Sequence, residues 1–256
     1  MPEPSLAGAA GRGEASRDPA GPPPIKGFIE TSFIDWRGYI SAVLFLPGCN
    51  FACPYCHNYT LVNDPEAYLT LDLDEVLARL KPFVGWIDGV VVSGGEPTLH
   101  PGLAGLVESL RAIGFKVKLD TNGSRPETVR DLCQEGLLEM VSMDLKAPLD
   151  PLSYARAAGK AVAVERVAAT LDYLRSSGML HEIRSTIWPA WHGPEELKDM
   201  AQAVEGCQNW TLQALNPANA WNRLPLGPGE AYTSDELARL QTGLADAACR
   251  PPGRDF

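Results

Sequence analysis

Short β-branched runs alternate with helical patterns along most of this chain, from about residue 40 onward. Runs that predict strands lie at residues 42–46, 89–93, 116–120, 138–144, 181–187 and 209–215. Patterns that predict helices lie at residues 73–81, 102–113, 127–135, 164–176, 194–204 and 234–245. Strict alternation of strand and helix predicts an α/β fold with a parallel sheet and right-handed crossovers.

Polar motifs lie in or at the carboxyl ends of all six predicted strands, and their position favours a curled sheet over an open one. They are PGCNFACPYC, SGGEPT, DTNG, MDLK, Arg184 and QALNP. An open sheet gathers its ligand groups mainly at one switch point, whereas a curled sheet brings every carboxyl end to one rim. We therefore predict a partial (β/α)6 barrel that is open on one side, because six strands fall short of the usual eight.

The first 24 residues differ in composition from the rest of the chain. They are rich in Gly, Pro and Ala and contain no apolar periodicity, which predicts a disordered tail. They also lack the basic start and the apolar run of a signal peptide. Residues 25–256 are enough for a single large α/β domain.

Two partners are not expected. The formal charge of -10 and a pI near 4.9 leave no clustered basic surface for nucleic acid. The sequence has no apolar stretch of about 18 residues that could cross a bilayer, so no membrane is expected and we predict a cytoplasmic protein.

Three cysteines lie close together in LPGCNFACPYCHN, as Cys49, Cys53 and Cys56. Structural zinc takes four ligands, so it would need a fourth group such as His57. A disulfide framework is disfavoured because three is an odd number. In a 4Fe-4S cluster, three thiolates leave one iron open for a substrate or cofactor. The other cysteines are scattered and predict incidental thiols: Cys133, Cys207 and Cys249.

The pattern Cys49-x3-Cys53-x2-Cys56, with Tyr55 before the last cysteine, resembles the signature of the radical S-adenosylmethionine (SAM) superfamily. The motif GGEP, at the end of the next strand, resembles that family's element for the SAM amino group: Gly94, Gly95, Glu96 and Pro97. The resemblance implies a 4Fe-4S cluster on the three cysteines whose open iron binds SAM. Reductive cleavage of SAM then yields methionine and a 5'-deoxyadenosyl radical.

The stretch KGFIETSFIDWRGYISAVLFLPGCNFACPYCHN resembles the glycyl-radical-enzyme activases, in particular those of anaerobic ribonucleoside-triphosphate reductase. SGGEPTLHPGL, LDTNG and MDLKAP extend the resemblance to about residue 217. It implies that the adenosyl radical removes a Cα hydrogen from a glycine of a partner enzyme. A flavodoxin or ferredoxin is the electron donor that the family implies.

Four further residues receive roles from the similar pyruvate formate-lyase activase. Asp120, Asp144 and Lys146 match its DTNG and DLK elements near SAM, and Arg184 matches an arginine at the methionine moiety. In that relative the two aspartates help to bind a monovalent cation. An alternative to a role at SAM remains for two of these residues. Asp120 could, with Asn122, simply cap the following turn, and Arg184 could be a cation on the surface of its strand.

One departure from the activase pattern lies in QALNPANAWN, which has no histidine where that relative contacts SAM. Gln213 or Asn216 could substitute. Trp191 and His192 lie in a loop at the same rim. Stacking on the adenine of SAM and simple packing within the loop are the two roles left open for them.

Two rival functions remain. One is a radical SAM enzyme that acts on a small molecule, of the 7-carboxy-7-deazaguanine synthase type. The other is a non-catalytic zinc or iron-sulfur module, which leaves Glu96, Asp120, Asp144 and Lys146 without a reason to share a rim.

Overall fold

The computed structural model describes residues 21–216 and 231–249. Its seven strands form one sheet in the order of the sequence, from β1 to β7. β1 pairs antiparallel with β2, and all later neighbours pair in parallel. The strands are β1 Gly27–Ser32, β2 Ser41–Leu46, β3 Gly89–Gly94, β4 Lys116–Thr121, β5 Met140–Asp144, β6 His181–Ile187 and β7 Trp210–Ala214.

The helices lie mainly between consecutive parallel strands. They are α1 Tyr59–Asn63, α2 Leu73–Leu80, α3 Leu103–Ala112, α4 Pro126–Gln134, α5 Pro151–Ala158, α6 Val164–Ser177, α7 Pro194–Ala203, α8 Ser234–Leu240 and α9 Asp246–Ala248. A π-helical segment, Gln241–Ala245, joins the last two. The prediction of six parallel strands in a (β/α)6 partial barrel is confirmed, and β1 and β7 are the two edges of the sheet.

Besides the short helices α1 and α9, two elements were not among the predicted strands and helices. β1 lies in the stretch assigned to the resemblance, and its largely exposed residues give little apolar signal. α5 is short and begins where Asp150 accepts hydrogen bonds from the backbone N–H groups of Leu152 and Ser153. β1 depends on its pairing with β2, and α5 depends on its N-cap. Neither element has the long periodic pattern from which the other elements were predicted.

Neighbouring residues of the parallel strands pack into two separate clusters. Leu44 and Val92 belong to the large core that packs against the helices. Val43 and Val91 belong to a second cluster with Trp36, which is 3% exposed. Because successive side chains of a strand point to opposite faces, this second cluster lies on the face opposite the helices and fills the base of the barrel.

Several predictions concern residues beyond the described ranges. Residues 1–20 of the predicted disordered tail lie outside them. Residues 21–24 of that tail are described, and Pro23 among them is buried. Residues 217–230, within the QALNPANAWN stretch and beyond, also lie outside. Within the described part of the chain, no helix combines the length and apolarity needed to cross a membrane.

Candidate functional site

A cavity of about 320 Å³ lies at the carboxyl ends of the parallel strands. The predicted site residues that line it are Cys49, Cys53, Tyr55, Cys56, Gly94, Gly95, Asp120, Asp144, Lys146 and Arg184. His57 and Gln213 also line it. Glu96, Pro97 and Asn216 are not among the described residues that do so. The expected convergence on one rim is therefore observed.

The cysteine loop is held by hydrogen bonds from both its ends and its middle. The N–H of Phe51 donates to Cys49 Sγ at 3.3 Å, and Asn122 Nδ2 lies 3.7 Å from the same sulfur. Asn58, in the CHN sequence, donates its amide to the carbonyl of Gly94 at 2.6 Å. The loop between β2 and α1 is thus attached to the ends of β3 and β4.

One cation lies near all three thiols, of which Cys53 is buried and Cys49 and Cys56 are half-buried. Burial raises the pKa of Cys49 to about 11, and it also raises the pKa of Cys53 and Cys56, while the charge of Lys146 opposes the rise in all three. Thiols of this kind stay protonated until iron displaces the proton.

The donor set fits a cluster better than a single ion. Among the described residues, no group of three or more His, Cys, Asp or Glu side chains could hold a metal ion. A 4Fe-4S cube places each of three thiolates on a different iron, so the sulfurs need not converge on one point. The zinc alternative, with His57 as a fourth ligand, lacks such convergence.

The two glycines of GGEP allow backbone segments to approach closely. A Cβ at Gly94, where φ is +119°, would lie 2.2 Å from the carbonyl oxygen of Leu46. A Cβ at Gly95 would lie 1.8 Å from the carbonyl oxygen of Gly48. Only glycine fits at these two positions, and both glycines line the cavity.

Glu96 lies within the protein and not in the cavity. Its fully buried carboxylate accepts hydrogen bonds from Thr121 Oγ1 at 2.8 Å, from the N–H of Asn122 at 2.6 Å, and from both the N–H and the hydroxyl of Thr98. Burial raises its pKa, and these hydrogen bonds oppose the rise. Glu96 therefore connects β3 to the end of β4, and its predicted contact with SAM stays a prediction.

An ionic network crosses three strands beneath the cavity. Arg184 on β6 places Nη1 3.1 Å from Asp120 Oδ2 and Nε 3.1 Å from Asp144 Oδ1. Lys118 Nζ lies 3.0 Å from Asp120 Oδ1, and Lys146 Nζ lies 3.4 Å from Asp144 Oδ2. In these five residues, called the ionic network below, each carboxylate lies between two cations.

The network accounts for how two carboxylates share this space. Burial raises the pKa of Asp144, but Arg184 and Lys146 together lower it by more, so that it lies below its usual value. Burial likewise lowers the pKa of Arg184, and Asp120 and Asp144 raise it by more. Protein cations therefore balance both aspartates. The monovalent cation expected beside Asp120 and Asp144 stays a prediction.

The geometry decides whether Asp120 caps a turn and whether Arg184 is a surface cation, the two alternatives left open by the sequence. Asn122 forms the turn, since its Oδ1 accepts from the N–H of Ser124 at 2.9 Å. Asp120 instead accepts from Ser93 Oγ at 3.2 Å and meets the two cations of the network. The side chain of Arg184 is 20% exposed and faces the cavity, so it is not a surface cation.

An aromatic cluster packs against Tyr55, which lines the cavity, whereas Trp191 and His192 do not line it. Tyr55 is buried, and its Oη has no hydrogen-bond partner in the structure. Its ring centroid lies 6.1 Å from that of Trp191, which lies 4.9 Å from that of Trp188. Buried His192 accepts from the N–H of Trp188 at Nδ1 and bonds the carbonyl of Lys146 through Nε2 at 2.9 Å. His192 therefore supports the strand end that carries Lys146.

Sequence reasoning missed three contributors to the site. Lys118 is 1% exposed and donates to the carbonyl of Asp35 at 2.5 Å as well as pairing with Asp120. Asp35 itself lines the cavity, and Asn58 holds Gly94. The signal for Lys118 is its position two residues before Asp120, on the same face of β4. None of Cys133, Cys207 and Cys249 lines the cavity.

Comparisons with known proteins agree with this geometry. A protein of Methanocaldococcus jannaschii, provisionally named a glycyl-radical enzyme activating enzyme, is 30% identical over 77% of this chain and 82% of its own. A 7-carboxy-7-deazaguanine synthase of Hyperthermus butylicus is 34% identical over 66% of this chain and 76% of its own. The structure of TYW1 with a lysine-pyruvate adduct bound has a similar fold, with a TM-score of 0.58 at 19% identity over 80% of this chain and 72% of that one.

A match that covers more than half of the chain decides the family. The profile described as the Radical SAM superfamily matches residues 43–204, a range that includes the cysteine loop, GGEP and the whole ionic network. Membership of this family implies a 4Fe-4S cluster and SAM as cofactors. This chain belongs to the radical SAM superfamily of enzymes.

Proposed function

We propose that this protein is a glycyl-radical-enzyme activase. The observation that carries the proposal is that the three cysteines, the two glycines of GGEP and four members of the ionic network line one cavity, which Asp35 from the loop after β1 also lines. The relative of Methanocaldococcus jannaschii, matched over most of both chains, supports the same function.

The chain's own residues divide the work as follows. Cys49, Cys53 and Cys56 hold the cluster. The backbone at Gly94 and Gly95 receives the amino group of SAM, and Arg184 with Lys146 receives the carboxylate, which suits an arginine fork. Cluster and SAM, when bound, supply a 5'-deoxyadenosyl radical. Buried Tyr55 and the aromatic cluster packed against it exclude water from this radical.

The substrate of an activase is a backbone loop of another protein. A sheet that ends in two edges, β1 and β7, leaves a side through which such a loop can enter. Glycine suits the reaction because its Cα radical is planar and unhindered. We propose anaerobic ribonucleoside-triphosphate reductase as the partner and a flavodoxin or ferredoxin as the electron donor, in the cytoplasm.

A second candidate function has one specific observation in its favour. The synthase of Hyperthermus butylicus matches at a slightly higher identity, although over less of each chain. That enzyme's name describes a small-molecule product, so the substrate class separates the two candidates.

The test uses the full chain, reconstituted anaerobically with iron and sulfide. Reduced in the presence of SAM and the host's anaerobic ribonucleotide reductase, it should yield a glycyl-type doublet in electron paramagnetic resonance, together with methionine and 5'-deoxyadenosine. SAM cleavage without the doublet, across every glycyl radical enzyme of the host, would move the assignment to a small molecule. Absence of iron and sulfide would favour the zinc module.

A substitution checks the cluster directly. We expect Cys53→Ala to abolish cluster assembly and SAM cleavage, because two thiolates are too few to hold the cube. Cys133→Ala is the matched control, since that thiol lies on α4 and does not line the cavity. Normal iron content and SAM cleavage in the Cys53 variant would contradict the assignment.

A further inference from the structure

The amide of Asn122, in the turn after β4, faces the cysteine loop. Asn122 lines the cavity and is 6% exposed. Its Nδ2 lies 3.7 Å from Cys49 Sγ and 2.9 Å from Asn50 Oδ1. An amide nitrogen carries two hydrogens, so each of these neighbours can accept one of them. The turn that Asn122 forms through its oxygen therefore does not account for its nitrogen, which faces a predicted cluster ligand.

The hydrogen bonds around Asn122 fix which end of its amide faces the sulfur. The backbone N–H of Ser124 can only donate, and it lies 2.9 Å from one amide atom of Asn122, which must therefore be the oxygen. The nitrogen of Asn122 then faces Asn50, whose facing atom must be its own oxygen. The amide nitrogen of Asn50 donates in turn to Ser124 Oγ at 2.8 Å. One backbone donor thus makes Asn122 a hydrogen-bond donor to Cys49.

The turn that carries this amide is held by two side chains of α6. Thr170 Oγ1 donates to the carbonyl of Gly123 at 2.6 Å. Arg166 Nε donates to the carbonyl of Ser124 at 2.9 Å. The backbone next to Asn122 is therefore fixed from outside the turn, and the amide keeps its direction towards the sulfur. Side chains that support a metal ligand in this way tune the metal site as well as orient it.

The sulfurs of the loop differ in the donors that reach them. Cys49 Sγ also accepts from the N–H of Phe51 at 3.3 Å, and the backbone N–H of Asn58 acts to lower the pKa of Cys56. Both of these donors belong to the main chain. Within residues 21–216 and 231–249, Asn122 is the one side chain that donates to a sulfur of the loop. Its contribution can therefore be removed by substitution.

Hydrogen bonds to the sulfur ligands help to set the reduction potential of an iron-sulfur cluster. Reduction adds one electron, so the cluster and its thiolates together become more negative. A donor aimed at a thiolate stabilises the more negative state, because a hydrogen bond to a charged acceptor is stronger than one to a neutral acceptor. Loss of such a donor should therefore make the cluster harder to reduce.

We propose that Asn122 raises the reduction potential of the cluster by donating a hydrogen bond to Cys49 Sγ, and that Asn50 is the positioning residue that holds this donor in place. One electron passes from an external reductant to the cluster, the reductant is oxidised by one electron, and no bond forms or breaks. This role needs the cluster that the family implies but no particular substrate, so it goes beyond the proposed function.

Two substitutions remove the donor and keep the turn. In Asn122→Ser the hydroxyl can still accept from the N–H of Ser124, but the side chain is too short to reach the sulfur. Asn122→Asp keeps an oxygen for the turn and places a second oxygen where the amide nitrogen donated. Asn209→Ser is the matched control, since Asn209 is half-buried and does not line the cavity.

The measurement is the midpoint potential of the cluster in the full chain, reconstituted anaerobically with iron and sulfide. Each protein is titrated with dithionite in the presence of redox mediators, and electron paramagnetic resonance follows the reduced cluster. No SAM and no protein substrate are added. Iron content and the visible spectrum show whether each variant carries a complete cluster.

We expect a more negative midpoint potential in both Asn122 variants. At a fixed potential, the ratio of reduced to oxidised cluster should fall about threefold in Asn122→Ser. It should fall about tenfold in Asn122→Asp, which is a shift of about 59 mV for a one-electron couple. Asn50→Ala should shift the potential in the same direction by less, because Asn122 is then present but no longer held. Asn209→Ser should leave the potential unchanged.

A midpoint potential in Asn122→Ser equal to that of Asn209→Ser would overturn the proposal, and so would a positive shift in Asn122→Asp. If the Asn122 variants bind no iron, Asn50→Ala decides, and an unchanged potential in that variant would overturn the proposal as well. A chain that shows the expected shifts but activates no glycyl radical enzyme retains this role of Asn122 and loses the proposed function.

Discussion

At the scale of the residue, Lys118 is the least expected contributor to the site. A lysine is rarely buried completely unless it is paired, and this one meets both Asp120 and the carbonyl of Asp35. It thereby joins the ionic network to the loop that leads from β1 towards β2. The position of Asp35 in the cavity lining therefore depends on a charge that lies on another strand.

Lys118→Met should lower the free energy of unfolding by about 3 kcal/mol, because removing one partner leaves the other charge buried and less compensated. It should also weaken SAM binding, as Asp120 and Arg184 rearrange. Urea unfolding and SAM titration of the anaerobic protein measure the two effects. Lys116→Met, on the same strand but exposed, is the control and should change stability by less than about 1 kcal/mol. Equal losses in both variants would show that the buried pair contributes nothing of its own.

At the scale of the element, the ends of β2, β3 and β4 act as one unit. Glu96 at the end of β3 binds Thr121 and Asn122 at the end of β4. Asn122 in turn approaches Cys49 Sγ in the loop that follows β2. Glu96, which does not line the cavity, thus controls the position of Asn122, whose side chain approaches the predicted cluster ligand Cys49.

Glu96→Gln tests this connection. Oε1 of the glutamine can keep its three donors, but the amide nitrogen would then face the N–H of Asn122, a donor against a donor. We expect a loss of about 1–3 kcal/mol in unfolding free energy, and less iron bound per chain after reconstitution. Glu66→Gln, whose carboxylate is exposed, is the matched control. Unchanged iron content in the Glu96 variant would contradict the connection.

At the scale of the whole molecule, the barrel is closed at its base by packing and open at its rim for chemistry. Trp36 fills the base against Val43 and Val91. A Cβ at Gly89 would lie 2.6 Å from the Trp36 ring, so the close fit requires a glycine there. Polar groups gather above this apolar layer, beginning with Lys118, which is paired in register with Val91.

Trp36→Ala should destabilise the protein by about 3–5 kcal/mol, because the neighbouring strands cannot collapse into the space it leaves. Trp86→Ala removes the same side chain from a position that is 80% exposed and should cost less than about 0.5 kcal/mol. Thermal and urea unfolding of both variants measure the contrast. Comparable losses would place the base of the barrel outside the stabilising core.

The sequence by itself determined the architecture and the meeting of its polar motifs at one rim. Six alternations of strand and helix predict a parallel sheet from local periodicity alone, and motifs at strand ends must meet at one edge. The spacing of Cys49, Cys53 and Cys56 indicates a cluster in the same local way, and their role as its ligands stays a prediction. The fold and the meeting of the motifs could be predicted because each depends on residues that are close in the chain or on the direction of parallel strands.

Only the tertiary structure decided how the polar residues pair across strands. Glu96 turned inward and Arg184 bridged Asp120 and Asp144 because of the register between β3, β4, β5 and β6, which no local pattern encodes. The burial of Lys118 likewise depends on which distant segments come into contact. Charge compensation in a buried space is a property of the neighbours in three dimensions, and the sequence alone does not order them.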